Sequence, residues 1–409
     1  MVNNFSELLI KNPYTEKDIT VVVPSYNNLE YLKLLFKSVR DASKDVQLLI
    51  YADGCTDGTE EWFHSIKGEE AVNTYAFIQK ERVGHTVLYD RGFQWSGTKV
   101  VGILHADMVI HKDFFKNILA GLDENTVVCG TCVEPPLHPP GGEKHIFDAG
   151  LYPHDFNVDA FTEFCLKLPV EPNRPGIFAP WFIVRETYLR LIGQHDLRFA
   201  PYGYEDCDLF ARMFAAGLRL LQNRSAFVYH FTQRGHKWSK GIGIENLGYK
   251  EQMKHTQREY ARKYGTDPRF DENHYPIPAP KYDVGFVVEN SNPAILSLLE
   301  PYCSTIYVNE DKSNVDQYLQ TERSVYNLRS RIKSLTADKT NDVLITFDAN
   351  KLSRFTMEVL FNFPLIIQDT DDVGTFEYDI FTVNISQLKE VPHERSFIPM
   401  EESHRSSTD

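Results

Sequence analysis

Four short stretches of this chain place acidic or imidazole side chains where apolar runs stop or a helix begins. In "LLIYADGCTDGT" (residues 48–59) a hydrophobic run ends at Ala52, and Asp53 and Asp57 follow among glycines and threonines. "LHADMVI" puts Asp107 just after a second apolar run, with His105 two positions earlier. "GYEDCDLFAR" gathers Glu205, Asp206 and Asp208, and "FVYHF" sets His230 after a further short strand. Carboxylates and imidazoles are the groups that take protons in catalysis and hold cations. Each also has a plainer use. Asp53 can cap a turn, His230 can be a core histidine, and acids at a helix start are favoured by the dipole alone. Asp107 lies too early to cap the next helix, for which Asp113 is the better N-cap. Asp208 and Arg212 are spaced i, i+4 and can pair on one helix face. Asp206 then lies about 200° round from Asp208, at about 100° per residue, and is free to face a cleft.

The elements around these residues alternate. "DITVVVPSYN" reads as a buried strand ended by Pro24, "NLEYLKLLFKSVRDA" as a helix, and "VQLLIYAD" as a second strand. "GTEEWFHSIK" begins a helix with Thr59 as its N-cap. "TYAFIQK", "HTVLYDRGFQWS" and "KVVGILHAD" continue as strand, helix and strand. This order predicts a doubly wound α/β sheet with ligands at the carboxyl ends of its strands, where Asp53 and Asp107 fall. Residues 131–180 are rich in Pro, Gly and His and read as long loops. Two further helices follow, "GYEDCDLFARMFAAGLRL" to about Gly217 and "NLGYKEQMKHTQREYARKYG" to Gly265. The expected division is a first domain over residues 1–268, a linker at 269–280, a small α/β domain at 281–389 and a polar, disordered tail at 390–409. In the small domain, "VDQYLQTERSVYNLRSRIKSL" reads as one helix and "PLIIQD" as a strand.

Bulk properties exclude several classes. The 409 residues carry 43 basic and 57 acidic side chains, a net charge of −14. That disfavours a nucleic-acid binder, whose affinity rests on neutralising phosphates. No apolar run approaches the roughly 20 residues of a membrane span, and the first residues do not read as a signal peptide. Six scattered cysteines fit a reducing cytoplasm. Cys129 and Cys132 form one CxxC without a second pair, and a buried strand is the better reading of "TVVCGTCV" than zinc or redox chemistry.

"VVVPSYNNLEYL", "YADGCTDGT", "RVGHTVLYDRGF", "VVGILHAD", "PYGYEDCDLFARMFAAG" and "YARKYG" occur in this order over residues 18–265. Together they resemble glycosyltransferase family 2, inverting enzymes of the GT-A fold. The resemblance implies a GT-A type α/β/α sandwich for nucleotide-diphosphate sugars; it does not cover the smaller Rossmann-like α/β domain that the alternation predicts after it. It implies transfer of a sugar from a UDP-, dTDP- or GDP-linked donor to a hydroxyl of a glycan or glycolipid, assisted by Mn²⁺ or Mg²⁺. By position, Pro24, Tyr26 and Asp53 would line the nucleotide pocket, with Asp53 on the base. Asp107 would ligate the metal, His230 would lie beside metal and diphosphate, and Asp206 would be the general base. Arg82 either reaches the nucleotide or is a solvated loop charge. Glu205 either contacts acceptor or braces its loop. Trp181 either stacks on the acceptor sugar or is core.

This sequence departs from the family pattern in places. Ala52-Asp53 stands where two aspartates are usual. His105 occupies the first position of Asp-x-Asp, where it can hydrogen-bond a ribose hydroxyl or ligate Mn²⁺. Asp90 replaces a frequent Asn, and His85 stands where a basic residue is common. "QRGHKW" (233–238) is similar to an element of processive synthases, but without a membrane span it reads as a lid in which Arg234, His236 and Lys237 face the diphosphate. A nucleotidyltransferase would need a glycine-rich basic signature after the first strand, which is absent. The remaining rival is a degenerate glycan- or nucleotide-sugar-binding module. The expected location is cytoplasmic, or peripheral to a membrane that carries the acceptor.

Overall fold

The computed structural model describes residues 13–232, 237, 238, 241–244, 246–309, 312–368, 370 and 372–392. Two compact units emerge, one comprising 1–195, 209–246 and 270–276, the other 196–208, 247–269 and 277–409.

The first unit opens with the alternation its sequence predicts. β1 (Ile19–Ser25), a helix Leu29–Ala42, β2 (Gln47–Asp53), a helix Thr59–Ser65, β3 (Thr74–Gln79), a helix His85–Trp95 and β4 (Val100–Ile103) follow in turn. Ile19, Val21, Val22 and Val23 are all buried. A parallel strand covered on both faces needs such a continuous apolar run rather than alternation. The chain continues through β5 (Met108–Ile110), β6 (Thr126–Glu134), β7 (Lys144–Ile146), β8 (Arg174–Pro175), β9 (Trp181–Val184) and β10 (Arg219–His230). The sheet order is β3-β2-β1-β4-β9-β6-β10-β5, with β7 beside β6 and β8 beside β10. β9 runs antiparallel to β4 and β6, and β5 antiparallel to β10, so the sheet is mixed. Gly102 permits the β4–β9 approach, since a Cβ there would lie 2.2 Å from the Phe182 ring.

Residues 131–180 hold more order than a loop reading allows. Besides β7 they contain a helix, Val158–Lys167, whose N-cap Asn157 accepts from Ala160 N at 2.9 Å. Its inward residues Phe161 and Cys165 are spaced i, i+4, a helical signal hidden by the surrounding Pro and Gly. The CxxC lies on the buried strand β6, and its thiols donate to Gly176 O and Ala179 O.

The second unit has its own sheet: β11 (Val284–Glu289), β12 (Thr305–Val308), β13 (Ile332–Ser334), β14 (Val343–Asp348), β15 (Gly374–Tyr378) and β16 (Phe381–Ile385), ordered β13-β12-β11-β14-β16-β15. Two expectations fail here. The stretch from Val315 is not one helix: a helix Lys312–Thr321 stops, a short one covers Leu328–Arg331, and Ile332–Ser334 pairs with β12. Arg331 donates to Glu300 O at 3.0 Å, which anchors the chain beside that strand. "PLIIQD" is a helix, Phe363–Ile367, with Pro364 in its first turn, where proline costs no hydrogen bond. β16 runs antiparallel to both β14 and β15, and a tight turn in which Asp379 takes φ 52° joins it to β15.

The helix Leu247–Tyr264 belongs to this unit and carries a buried ionic network. Arg262 donates to Glu259 at 2.8 Å and to Glu300 at 2.7 Å, and Tyr318 Oη donates to Glu300 at 2.7 Å. Burial opposes ionising Glu300, but the Arg331 and Arg262 guanidiniums overturn this and hold its carboxyl down to about 2.

Candidate active site

The carboxyl ends of β1 and β2 are laced together by their loops. Pro24 pairs with Tyr51 and Ser25 with Ala52, so the residues after both strands emerge side by side. Asp57 accepts from Leu29 N at 2.8 Å, and Asn27 Oδ1 accepts from Thr56 N at 2.7 Å. Thr59 is the first residue of its helix rather than the cap; Gly58, at φ 90°, is the N-cap, and Asp57 accepts from the Thr59 hydroxyl at 2.6 Å. Asp53 is 3% exposed and accepts from Val83 N at 2.7 Å and Gly84 N at 2.9 Å. It therefore ties β2 to the start of the His85–Trp95 helix. Each oxygen retains acceptor capacity beyond these bonds. The Arg82 guanidinium lies over the Tyr26 ring, 3.9 Å from its centroid. Pro24, Tyr26, Asp53 and Arg82 thus share one end of the sheet.

A second group gathers where β10 meets β5. The antiparallel register pairs His230 with Met108, and Phe231 N donates to Asp107 O at 3.0 Å. This brings His230 Nε2 to 3.7 Å from Asp107 Oδ1. The His105 and His230 rings meet edge to face, with centroids 5.5 Å apart. One ligand atom each from His105, Asp107 and His230 lies within 4.8 Å of the others. Asp113 takes the predicted N-cap position of the next helix, Phe114–Ala120, without a capping side-chain bond.

Behind His230 stands a pair that the sequence reading missed. Glu134 Oε1 lies 2.9 Å from His230 Nδ1, and Lys144 Nζ donates to Glu134 Oε2 at 2.9 Å. Burial alone would lower the His230 imidazole, but the Asp107 and Glu134 carboxylates hold it above its ordinary value. Burial would raise the Glu134 carboxyl, yet His230 and Lys144 keep it down to about 2. Glu134 ends the apolar strand "TVVCGTCVE", the same signal that marked Asp53, but the prolines after it read as loop. Cys132, Glu134 and His230 form a second close triad. Burial pushes the Cys132 thiol well up and it donates to Ala179 O, so it offers no thiolate.

Asp206 and Glu205 open the helix Glu205–Ala215, and both are half-buried. Asp206 Oδ1 accepts from Cys207 N at 2.7 Å. Asp208 is fully buried, where Tyr264 Oη donates to it at 2.7 Å and Lys263 adds a charged bond. Trp181 does not sit as an acceptor platform. It is 1% exposed, stacked with Tyr188 and edge-on to Phe93, so its faces belong to the core. Asp90 is buried too, accepting from Tyr188 Oη at 2.6 Å and His195 N at 2.8 Å. Of the predicted lid, Lys237 lies 5.1 Å from the centroid of the Trp238 ring, which stacks on His138. Arg234 and His236 lie outside the described residues.

Residues 20–179 match the family described as "Glycosyl transferase family 2". The first unit carries a family 2 glycosyltransferase domain. An undecaprenyl-phosphate mannosyltransferase of Micrococcus luteus is 25% identical to the chain over 218 residues, 51% of this chain and 83% of the relative. Among solved structures, S. aureus TarS 1–349 is 13% identical with a TM-score of 0.39, covering 52% of this chain and 60% of that one. A mannosyltransferase of Pyrobaculum calidifontis in complex with GDP-Man and Mn²⁺ is 14% identical with a TM-score of 0.39, covering 60% and 62%. Both matches take in less than two thirds of the solved chain. The matched residues lie in the mixed α/β sheet of the first unit, and the second unit has an α/β sheet of its own. No helix among the described residues is long and apolar enough to cross a membrane.

Proposed function

We propose that the glycosyltransferase domain moves a sugar from a nucleotide-diphosphate donor to an acceptor hydroxyl, with inversion at the anomeric carbon. The observation that carries this reading is the convergence of His105, Asp107 and His230 at one end of a family 2 sheet. Two imidazole nitrogens and a carboxylate oxygen can hold a divalent transition ion such as Mn²⁺, with His105 and His230 neutral when bound. The ion would supply neutralisation of the charge that grows on the leaving diphosphate.

The chain's own groups do the rest. Tyr26, Asp53 and Arg82 hold the nucleotide at the ends of β1 and β2. Asp206 takes the proton of the acceptor hydroxyl as its oxygen bonds to the anomeric carbon. The carbon–phosphate oxygen bond breaks on the opposite face, and the nucleoside diphosphate departs with the electron pair. Glu205, one residue before the base, is the candidate to hold the acceptor. The acceptor is a glycan or lipid-linked glycan, and the enzyme works on the cytoplasmic side, free or peripheral to a membrane.

The test is a panel of UDP-, dTDP- and GDP-sugars with Mn²⁺, reading release of nucleoside diphosphate with and without candidate acceptors. GDP-mannose belongs in it because the Micrococcus relative is named a mannosyltransferase. One donor should be turned over by the wild type and lost in Asp107→Ala and Asp206→Asn. A protein that neither turns over nor binds any donor with Mn²⁺ refutes the reading.

A further inference from the structure

We infer that Glu134, clamped by Lys144, is a positioning residue that presents His230 Nε2 to the metal; this rests on the metal reading above. An ionised carboxylate can only accept, so the 2.9 Å contact from Glu134 Oε1 places the imidazole proton on Nδ1. In the neutral ring that a metal ion requires, the lone pair then sits on Nε2, the nitrogen 3.7 Å from Asp107 Oδ1. A ligating histidine whose other nitrogen is held in this way is fixed in both tautomer and ring orientation.

Glu134 is 2% exposed, and an uncompensated carboxylate at that depth is costly. Lys144 meets this cost with its 2.9 Å bond to the other oxygen. The register explains how it arrives: β7 runs parallel to β6 with Lys144 opposite Cys132, two positions before Glu134. β6 in turn lies beside β10, with Val133 opposite Tyr229. Three neighbouring strands thus deliver Lys144, Glu134 and His230 in a row. The pair contributes balanced charge, so the ion meets a single negative ligand, Asp107, from this cluster.

The test removes both charges together, because breaking a buried pair from one side destabilises far more than replacing both partners. Glu134→Leu/Lys144→Met should keep the fold by circular dichroism and weaken Mn²⁺ binding, measured by calorimetry, by about 10- to 100-fold. Glu134→Gln/Lys144→Met, whose amide oxygen still accepts from Nδ1, should recover most of that loss. In metal-free protein, at a pH alkaline enough that the His230 ring is neutral, ¹⁵N imidazole spectra should report the Nδ1–H tautomer in the wild type and a mixture in the leucine variant. A structural role alone would move neither the tautomer nor the rescue. A folded leucine variant with wild-type Mn²⁺ affinity overturns the inference, as does an Nε2–H tautomer in the wild type. Failure of the wild type to bind Mn²⁺ at all would instead sink the metal reading, and the tautomer would still decide the hold of Glu134.

Discussion

At the scale of single residues, the chemistry turns on His105. Magnesium favours all-oxygen surroundings and keeps several waters, whereas imidazole suits softer divalent ions. A cluster of His105, Asp107 and His230 should therefore bind Mn²⁺ more tightly than Mg²⁺. His105→Asp trades a nitrogen for a carboxylate, and the gap between the two ions should narrow by about tenfold or more, roughly 1.4 kcal/mol. Calorimetry with each ion on both proteins checks this; equal affinity for the two ions in the wild type would contradict it. Asp206→Asn should lower kcat by about 10²- to 10⁴-fold, the usual worth of a positioned base. Nucleotide affinity should stay unchanged, because the variant keeps size and loses only the proton acceptor. These residues were legible because an acid or histidine at the end of an apolar run is a local signal. Trp181 was not, since an aromatic after a loop reads the same in a core as in a cleft. Glu134 and Lys144 escaped because their partnership exists only once β6, β7 and β10 are side by side.

Among the elements, the loops after β1 and β2 show how one residue serves fold and site together. The two hydrogen bonds from Val83 N and Gly84 N to the buried Asp53 fasten β2 to the helix His85–Trp95. Asp53→Ala leaves both donors without this acceptor, and bonds to a charged group are worth about 1.5–3 kcal/mol each before relaxation. A loss of about 2–3 kcal/mol is expected for the variant, read as a lowered urea midpoint at unchanged slope. An unchanged midpoint would mean that the fastening carries no stability. The alternation of strands and helices through β4 was readable because each element shows one clear period. The second unit was harder. "RSRIKSL" continues a helical pattern, yet its chain is drawn into a strand by Arg331 bonds to Glu300 and Cys303, which lie about thirty positions away. "PLIIQD" has strand composition, and only Pro364 hinted at a helix start. Long-range pairing decided the first, and no local window contains it.

For the molecule as a whole, the acidic excess of 57 over 43 hides an uneven distribution of consequence. Glu300 is fully buried within the second unit's ionic network. Its folded value, held down to about 2, lies below the ordinary carboxyl range near 4.5. A depressed acid contributes stability that is fully present above its unfolded value and lost as pH falls through its folded value. The window is therefore from about pH 4.5 down to about 2. A shift of that size corresponds to roughly 3 kcal/mol, an upper figure for one member of a shared network. Wild-type stability should decline steeply below about pH 4.5. Glu300→Gln should behave differently at both ends. At pH 7 it leaves Arg262 and Arg331 facing a neutral group and should cost about 3–5 kcal/mol. Below pH 4.5 its decline should be shallower, because the group that would protonate is gone. Thermal melts followed by circular dichroism at pH 7, 5, 3.5 and 2.5 on both proteins measure the two slopes. Parallel acid declines would place the pH sensitivity in other carboxylates and leave Glu300 with a purely geometric part in the network.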